Sequence, residues 1–208
     1  MKKTNPERIE NMDSSRYRHA FSQLPQLETK RLILKKIAIE NSADMYSYSS
    51  LESVTKYLLW SPHLNIHETK GYIEYLQREY RKGNYADWGI TYKENGVFIG
   101  TIGFANIDMD NNSGEIGYVL NPAYHRRGIM TEALERVLEF AFGTLAMHRV
   151  QLRIMDGNEA SVKLAEKMGF KYEGMLRDSI LCKGAYRTVR YYSMIENEYF
   201  ARYGYPTF

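Results

Sequence analysis

The chain has 208 residues, 44% of them hydrophobic and 25% charged, with a formal net charge of +3. That length supports one domain with a sizeable core, and so small a net charge gives no ground for a nucleic-acid partner. A single cysteine, Cys182, allows no intrachain disulfide framework, and no apolar run approaches the ~18 residues of a membrane span.

The expectation is a cytoplasmic protein without a membrane segment, because the charged N-terminus lacks the apolar core of a signal peptide. Residues 1–24 are polar, charged and without a clear period, so they read as an N-terminal extension, an arm or short helix outside the core. The domain proper is expected over residues 25–208. It opens with Leu27–Leu34 as an edge strand. Asn41–Ser50 and Leu51–Leu59 read as two short helices, the second broken by Trp60-Ser61-Pro62. A longer helix runs from His67 to Arg81 and shows Tyr72, Ile73, Leu76 and Tyr80 on one face. Asp87–Tyr92 and Val97–Asn106 form a hairpin around Asn95-Gly96, a strong turn signal.

The most informative stretch follows. Glu115–Leu120 alternates as a strand, with Ile116, Tyr118 and Leu120 on one face and Glu115, Gly117 and Val119 on the other. Asn121-Pro122 stops it, and His125, Arg126 and Arg127 then lead into Gly128. Past Gly128 the spacing becomes helical, with Met130, Leu134, Val137, Leu138 and Ala141 on one face. A glycine at a helix start lets a ligand approach the backbone, and the free N–H groups there attract anions. Basic side chains at that end would oppose the helix dipole unless an anion were bound, so the loop predicts a phosphate site. The bland alternative is an exposed basic loop before an ordinary amphipathic helix.

His148–Ile154 is a further strand, Asn158–Met168 a short helix ended by Gly169, and Phe170–Cys182 and Tyr186–Tyr199 two final strands. No repeat or inter-domain linker interrupts the order. The order predicts one α/β domain, a mixed sheet with helices packed on it.

The segments EIGYVL, NPAYHRRGIMTEAL and NEASVKLAEKMGF, in this order, resemble the GNAT superfamily of acyl-CoA-dependent N-acyltransferases. LETKRLILK, YLLW-SP and GF-x-x-E-G-M-L-R resemble, within it, the ribosomal-protein N-terminal acetyltransferase group (the RimJ/RimL type). The resemblance covers about Leu24 to Tyr199. It implies a GNAT fold with a mostly antiparallel sheet of about seven strands, splayed between strands 4 and 5, and acetyl-CoA as co-substrate. His125-Arg126-Arg127-Gly128-Ile129-Met130 matches the coenzyme loop Q/R-x-x-G-x-G/A at its central glycine, with His at the first place and Met at the last. Backbone N–H groups from about Arg126 to Thr131 would then hold the pyrophosphate. Pantetheine would run beside Tyr118, Val119 and Leu120, where backbone N–H groups would polarise the thioester. Asn158 and Ser161 match N-x-x-S, which in this group contacts the coenzyme near its sulfur; Asn158 equally suits a helix N-cap, and Ser161 plain helix surface. The tyrosine that many members place seven residues later is Ala165 here. Ser161 is therefore the candidate donor to the leaving thiolate, with Cys182 and Tyr186 in reserve.

Glu115 is the best candidate base, acting directly or through water, with an exposed strand carboxylate as its bland reading. Glu173 and Asp178 are runners-up. Trp60, Tyr57 and His63 belong to the segment that lines the acceptor groove in this group, against simple packing as the alternative. No metal site is expected, since no His/Cys/Asp/Glu set has ligand spacing. The acceptor is expected to be a protein N-terminal α-amine, with a small amine (a polyamine, amino acid or antibiotic) as the alternative and a non-catalytic CoA-binding module as a reading of another class. A monomer or homodimer is expected, without nucleic acid.

Overall fold

The computed structural model describes residues 14–84 and 86–204. The chain runs α1 (Ser14–Ser22), β1 (Leu27–Glu28), β2 (Leu32–Lys35), α2 (Ser42–Ser49), α3 (Glu52–Thr55), α4 (Ile66–Lys82), β3 (Ala86–Tyr92), β4 (Phe98–Asp108) and β5 (Ser113–Leu120). It continues through α5 (Ile129–Glu139), β6 (Arg149–Met155), α6 (Glu159–Met168), β7 (Lys171–Cys182), β8 (Ala185–Ile195) and α7 (Glu196–Tyr203). The strands form one eight-stranded sheet in the order β1-β2-β3-β4-β5-β6-β8-β7. Every pairing is antiparallel except that of β5 with β6.

Each local rule produces its element. Asn95-Gly96 closes the β3–β4 hairpin, with Gly96 at φ 71°, a conformation that costs other residues a Cβ clash. Asn65 caps α4, its Oδ1 accepting from the N–H of His67 at 2.9 Å. The apolar face of α5 buries Met130, Ala133, Leu134, Val137 and Leu138. Just past α5, Phe140 meets the buried Trp88 of β3 edge to face, 5.3 Å between ring centres. Thus α5 covers one face of the sheet, while Met45 and Tyr48 of α2 and the segment before α4 face the other.

The parallel pairing decides the shape of the site. It holds only Ser113 to Arg149, Gly114 to Val150 and Glu115 to Gln151. Beyond Glu115 the two strands separate, while β5 stays paired to β4 as far as Leu120 and β6 stays paired to β8 as far as Met155. With Leu27–Lys35 counted as one strand, this is the expected splay between strands 4 and 5.

Four expectations need correction. The opening strand is two short strands, because Thr29 turns the chain: its N–H donates to the Leu32 carbonyl and its hydroxyl accepts from the Leu32 N–H. The helix expected to reach Leu59 stops at Thr55. Past that point the β7–β8 hairpin takes over the carbonyls, Lys183 Nζ donating to Thr55 O at 2.6 Å and Cys182 Sγ pointing at Leu58 O. The last strand ends at Ile195, where the Glu198 carboxylate accepts the Ile195 N–H and starts α7. Its aromatic run is a helix face, with Tyr199 stacked on Phe142 at 4.7 Å. Finally, the segment expected outside the core contributes to it: Tyr17, Phe21 and Leu24 are buried, and Phe21 packs on Phe104. The expectation for residues 1–13 lies outside the described residues.

Phe21→Ala is accordingly expected to destabilise the protein by about 3–5 kcal/mol through the cavity it leaves. Urea denaturation checks this; a loss within the scatter of surface substitutions would return α1 to the status of an appendage.

Candidate active site

A cavity of about 360 Å³ opens where β5 and β6 part. Residues from both faces of β5 line it, Glu115, Gly117 and Val119 from one and Ile116 and Tyr118 from the other. That arrangement requires the splay, because in a continuous sheet each face would see only alternate residues. Arg153 and Met155 of β6 form the opposite wall. Tyr57, Trp60 and His63, all singled out in the sequence, line the cavity from the segment before α4. The Tyr57 ring lies against the backbone at Gly157, where an added Cβ would meet it at 3.6 Å.

On the α5 side of the splay lies the basic loop. Gly128 is the N-cap of α5 at φ 71°, and the Glu132 N–H makes the bond to its carbonyl. The N–H groups of Ile129, Met130 and Thr131 therefore precede the first intrahelical bond and are free for an anion. Met130, the departure from the usual small residue, turns inward and is buried, so its side chain does not fill the approach. Arg126 and Arg127 are exposed. Arg127 lies over the Tyr124 ring, 5.3 Å from its centre. The His125 imidazole Nε2 meets the Leu120 carbonyl at 3.0 Å, which ties the loop to the end of the splayed strand. Sequence reasoning missed Arg31. Its guanidinium donates to the Arg127 carbonyl at 2.9 Å, pairs with Glu132 at 2.6 Å, and ends 3.6 Å from the point where a Gly128 Cβ would sit. The Lys30-Arg31 pair in the opening strand was the available signal.

Asn158 caps α6, accepting the Ser161 N–H on Oδ1 at 3.3 Å, so its N-cap reading holds. Ala165, one turn beyond Ser161, is fully buried. The Tyr118 hydroxyl is the polar side-chain atom that stands out among the described residues, being buried with no hydrogen-bond partner. Ser161 is its polar neighbour and works against the rise that burial causes in its pKa, but the two hydroxyls do not meet in hydrogen-bond geometry. Burial pushes the phenol up to about 12, so it stays protonated. A buried donor without a partner is costly, and this one is free to meet a ligand atom. The free N–H groups at Gly128 and this orphan donor together fit a phosphate-bearing thioester lying along β5.

At the opposite end the cavity is acidic and aromatic. Glu115 accepts from Gln151 Nε2 at 3.2 Å and pairs with Arg153 at 3.1 Å. Asp87, which the sequence did not single out, also lines the cavity. It receives one long hydrogen bond, from the Tyr72 hydroxyl at 3.4 Å, and burial pushes its carboxyl up to about 6. His63 Nδ1 lies 2.7 Å from Thr69 Oγ1 and 3.1 Å from Ser49 Oγ. Burial lowers its pKa, against a smaller opposing pull from Glu68, so it is largely neutral at physiological pH. The other carboxylates considered are elsewhere. Glu173 is held by Arg149 and Ser193, which with the nearby charge bring it down to about 2, and Asp178 is exposed on β7. Tyr186 is exposed, and Cys182 is buried behind Leu58.

Residues 31–171 match the acetyltransferase (GNAT) domain family. The chain belongs to that family, and it is an N-acetyltransferase with acetyl-CoA as co-substrate. The "Uncharacterized N-acetyltransferase p20" of Bacillus licheniformis is 31% identical over 173 residues, 83% of this chain and 97% of its own. The "Putative ribosomal N-acetyltransferase YdaF" of Bacillus subtilis is 32% identical over 123 residues, 59% of this chain and 66% of its own. Among solved structures, RimL, a ribosomal L7/L12 alpha-N-protein acetyltransferase in complex with coenzyme A, shares the fold at a TM-score of 0.74 and 19% identity. That match covers 82% of this chain and 98% of RimL. Among the described residues, no helix is long and apolar enough to cross a membrane.

Asp87 gives the site a thermodynamic signature. Its carboxyl titrates near 6 in the folded protein against 3.8 ordinarily. Between those values the folded state holds a proton that the unfolded chain has released, so stability falls as pH rises through that window. The ligand-free Asp87→Asn variant is expected to melt higher than wild type at neutral pH, with the gain vanishing as pH falls toward about 4. Equal melting temperatures across that range would show that the carboxylate is well solvated.

Proposed function

We propose that this chain acetylates a primary amine that enters the cavity from the side of α2 and α4, while acetyl-CoA approaches from the side of α5. The observation that supports this is the splay itself. It joins the free N–H groups at Gly128 on one face to the Glu115–Asp87 cavity on the other. The cavity volume falls in the range of small-molecule sites, about 300–1,000 Å³, and favours a small amine. A protein N-terminus is the second reading, and the similarity to the protein named as a ribosomal N-acetyltransferase supports it. One free cysteine suits a reducing, cytoplasmic setting.

In this reading the N–H groups from Arg126 to Thr131 hold the pyrophosphate, and Arg31, Arg126 and Arg127 supply positive charge around it. His125 keeps that loop in place against Leu120. Backbone N–H groups at Tyr118 and Leu120, which flank Val119 and point to the edge β6 has left, face the thioester carbonyl. The amine lone pair attacks the carbonyl carbon, the carbon–sulfur bond breaks, and the amine proton passes to Glu115 directly or through water. Arg153 and Gln151 fix the carboxylate's orientation for that transfer. The Tyr118 hydroxyl, seconded by Ser161, donates to the departing sulfur in place of the tyrosine that Ala165 replaces. At pH near 7.4 an α-amine is roughly a quarter neutral and an alkyl amine about one part in a thousand. A small alkyl amine therefore depends on Glu115 far more than a protein N-terminus does.

Gly128→Asp is expected to abolish measurable acetyl-CoA binding in calorimetry while the protein stays folded, because it puts a negative charge where the pyrophosphate rests. Undiminished affinity would remove the loop from the coenzyme site.

Glu115→Gln is expected to lower kcat/KM by about 10²–10⁴ for an alkyl amine and by less for a peptide α-amine. Tyr118→Phe is expected to lower kcat by about tenfold, ~1.4 kcal/mol, with coenzyme affinity retained. Rate–pH profiles superimposable on wild type would leave both groups as scaffolding.

A further inference from the structure

The cavity has two carboxylates, and their surroundings differ in sign. Glu115 carries its own cation, Arg153. Asp87 has none: among the described residues no lysine or arginine pairs with it, and its one bond comes from the Tyr72 hydroxyl. Asp87 is half-buried, and a carboxylate that has lost part of its water without gaining a cation is costly, in keeping with its raised pKa. Tyr48 and Tyr72 stand near it, and Trp60 lines the same cavity; aromatic ring faces attract cations.

The strand register sets the distance between the two ends. Asp87 pairs with Gly103, and Gly103 with Gly117, so the three stand in one row on one face. Two strand spacings, about 10 Å, separate Asp87 from the β5 backbone. Gly103, the middle residue of the row, is buried; Asp87 and Gly117 at its ends both line the cavity, and the ideal Cβ at Gly117 meets only Ala105, at 3.7 Å. A short aspartate side chain does not reach across to a nitrogen attacking at the splay. It does reach the far end of a molecule that spans the cavity both carboxylates line. Near Glu115 the Arg153 guanidinium disfavours an ammonium, so the nitrogen there is admitted neutral, as the chemistry requires.

We propose that Asp87 is a second cation site, and that the acceptor carries two positively charged groups separated by an extended chain. One amine gives up its proton and is acetylated beside Glu115; the other stays protonated against Asp87 and takes no part in bond making. The shared chemistry is a primary amine with a distal ammonium, supplied by a free diamine or by a peptide whose second residue is lysine. This rests on the acetyltransferase reading for the reacting end, while the distal site is a binding claim that needs no turnover.

Calorimetry on the full chain saturated with CoA tests it directly. The probes are alkyl diamines from diaminoethane to diamino-octane against monoamines of equal length, and tetrapeptides with Lys or Leu at the second position. Wild type is expected to bind the dicationic member of at least one pair about tenfold more tightly, the size of one charge-assisted contact. The arm that shows the preference identifies the source. In Asp87→Asn the ratio is expected to fall toward one, and Asp87→Glu, which keeps the charge, is expected to retain it. No dicationic preference in either arm, or a preference that survives Asp87→Asn, overturns the proposal. A preference seen in binding without acetyl transfer to any probe would leave the cation site standing and sink the catalytic reading.

Discussion

The structure depends on the pairing of β5 with β6 ending after three residue pairs. A parallel ladder continued to Leu120 would have sealed the sheet and hidden one face of β5 from the other. Because it stops at Glu115, the strand's outer edge has backbone groups without a strand partner, and these must be satisfied by something other than β6. Glu115 is the last paired residue on one strand and Gln151 on the other, and Gln151 also bonds the Glu115 carboxylate. The carboxylate at the fork is thus positioned by the same register that opens the fork.

From this opening the rest of the site follows by short covalent and hydrogen-bonded links. His125 joins the Leu120 carbonyl to the basic loop. Arg31 joins that loop to Glu132 in the first turn of α5. Glu132 also accepts from the Thr29 hydroxyl and the Arg31 N–H, so one carboxylate staples the β1–β2 turn to the start of α5. The positive charge beside Gly128 is therefore assembled from two distant stretches of chain. On the acceptor side, the β7–β8 hairpin holds the carbonyls of Thr55 and Leu58, which keeps the aromatic segment from Tyr57 to His63 over the cavity.

Much of this was legible in the chain. The alternation of Glu115–Leu120, the Asn95-Gly96 turn and the helical spacing after Gly128 are local signals, and local signals survive folding. The proposed coenzyme side is built mostly from one contiguous stretch, so its candidate residues could be read from it. The acceptor side was less legible because it is set by register. Asp87 lies in an ordinary β-hairpin strand, and only its register through Gly103 to Gly117 puts it in the same cavity as Glu115. Arg153 carries no local signal of its role; the fold sets it against Glu115. The strand expected to run through Tyr199 failed for a related reason: Tyr, Phe and Tyr are good strand formers, and the capping by Glu198 that starts a helix there is a contact between side chain and backbone.

In the proposed reading, one opening in the sheet receives the coenzyme's thioester while the start of α5 receives its phosphates. Amide hydrogen exchange with and without acetyl-CoA tests it most directly, because both contacts are made to backbone N–H groups. Saturating acetyl-CoA is predicted to slow exchange together at two separated segments, residues 118–120 of β5 and residues 128–131 at the head of α5. Protection at the α5 segment alone, or at neither, would contradict the account.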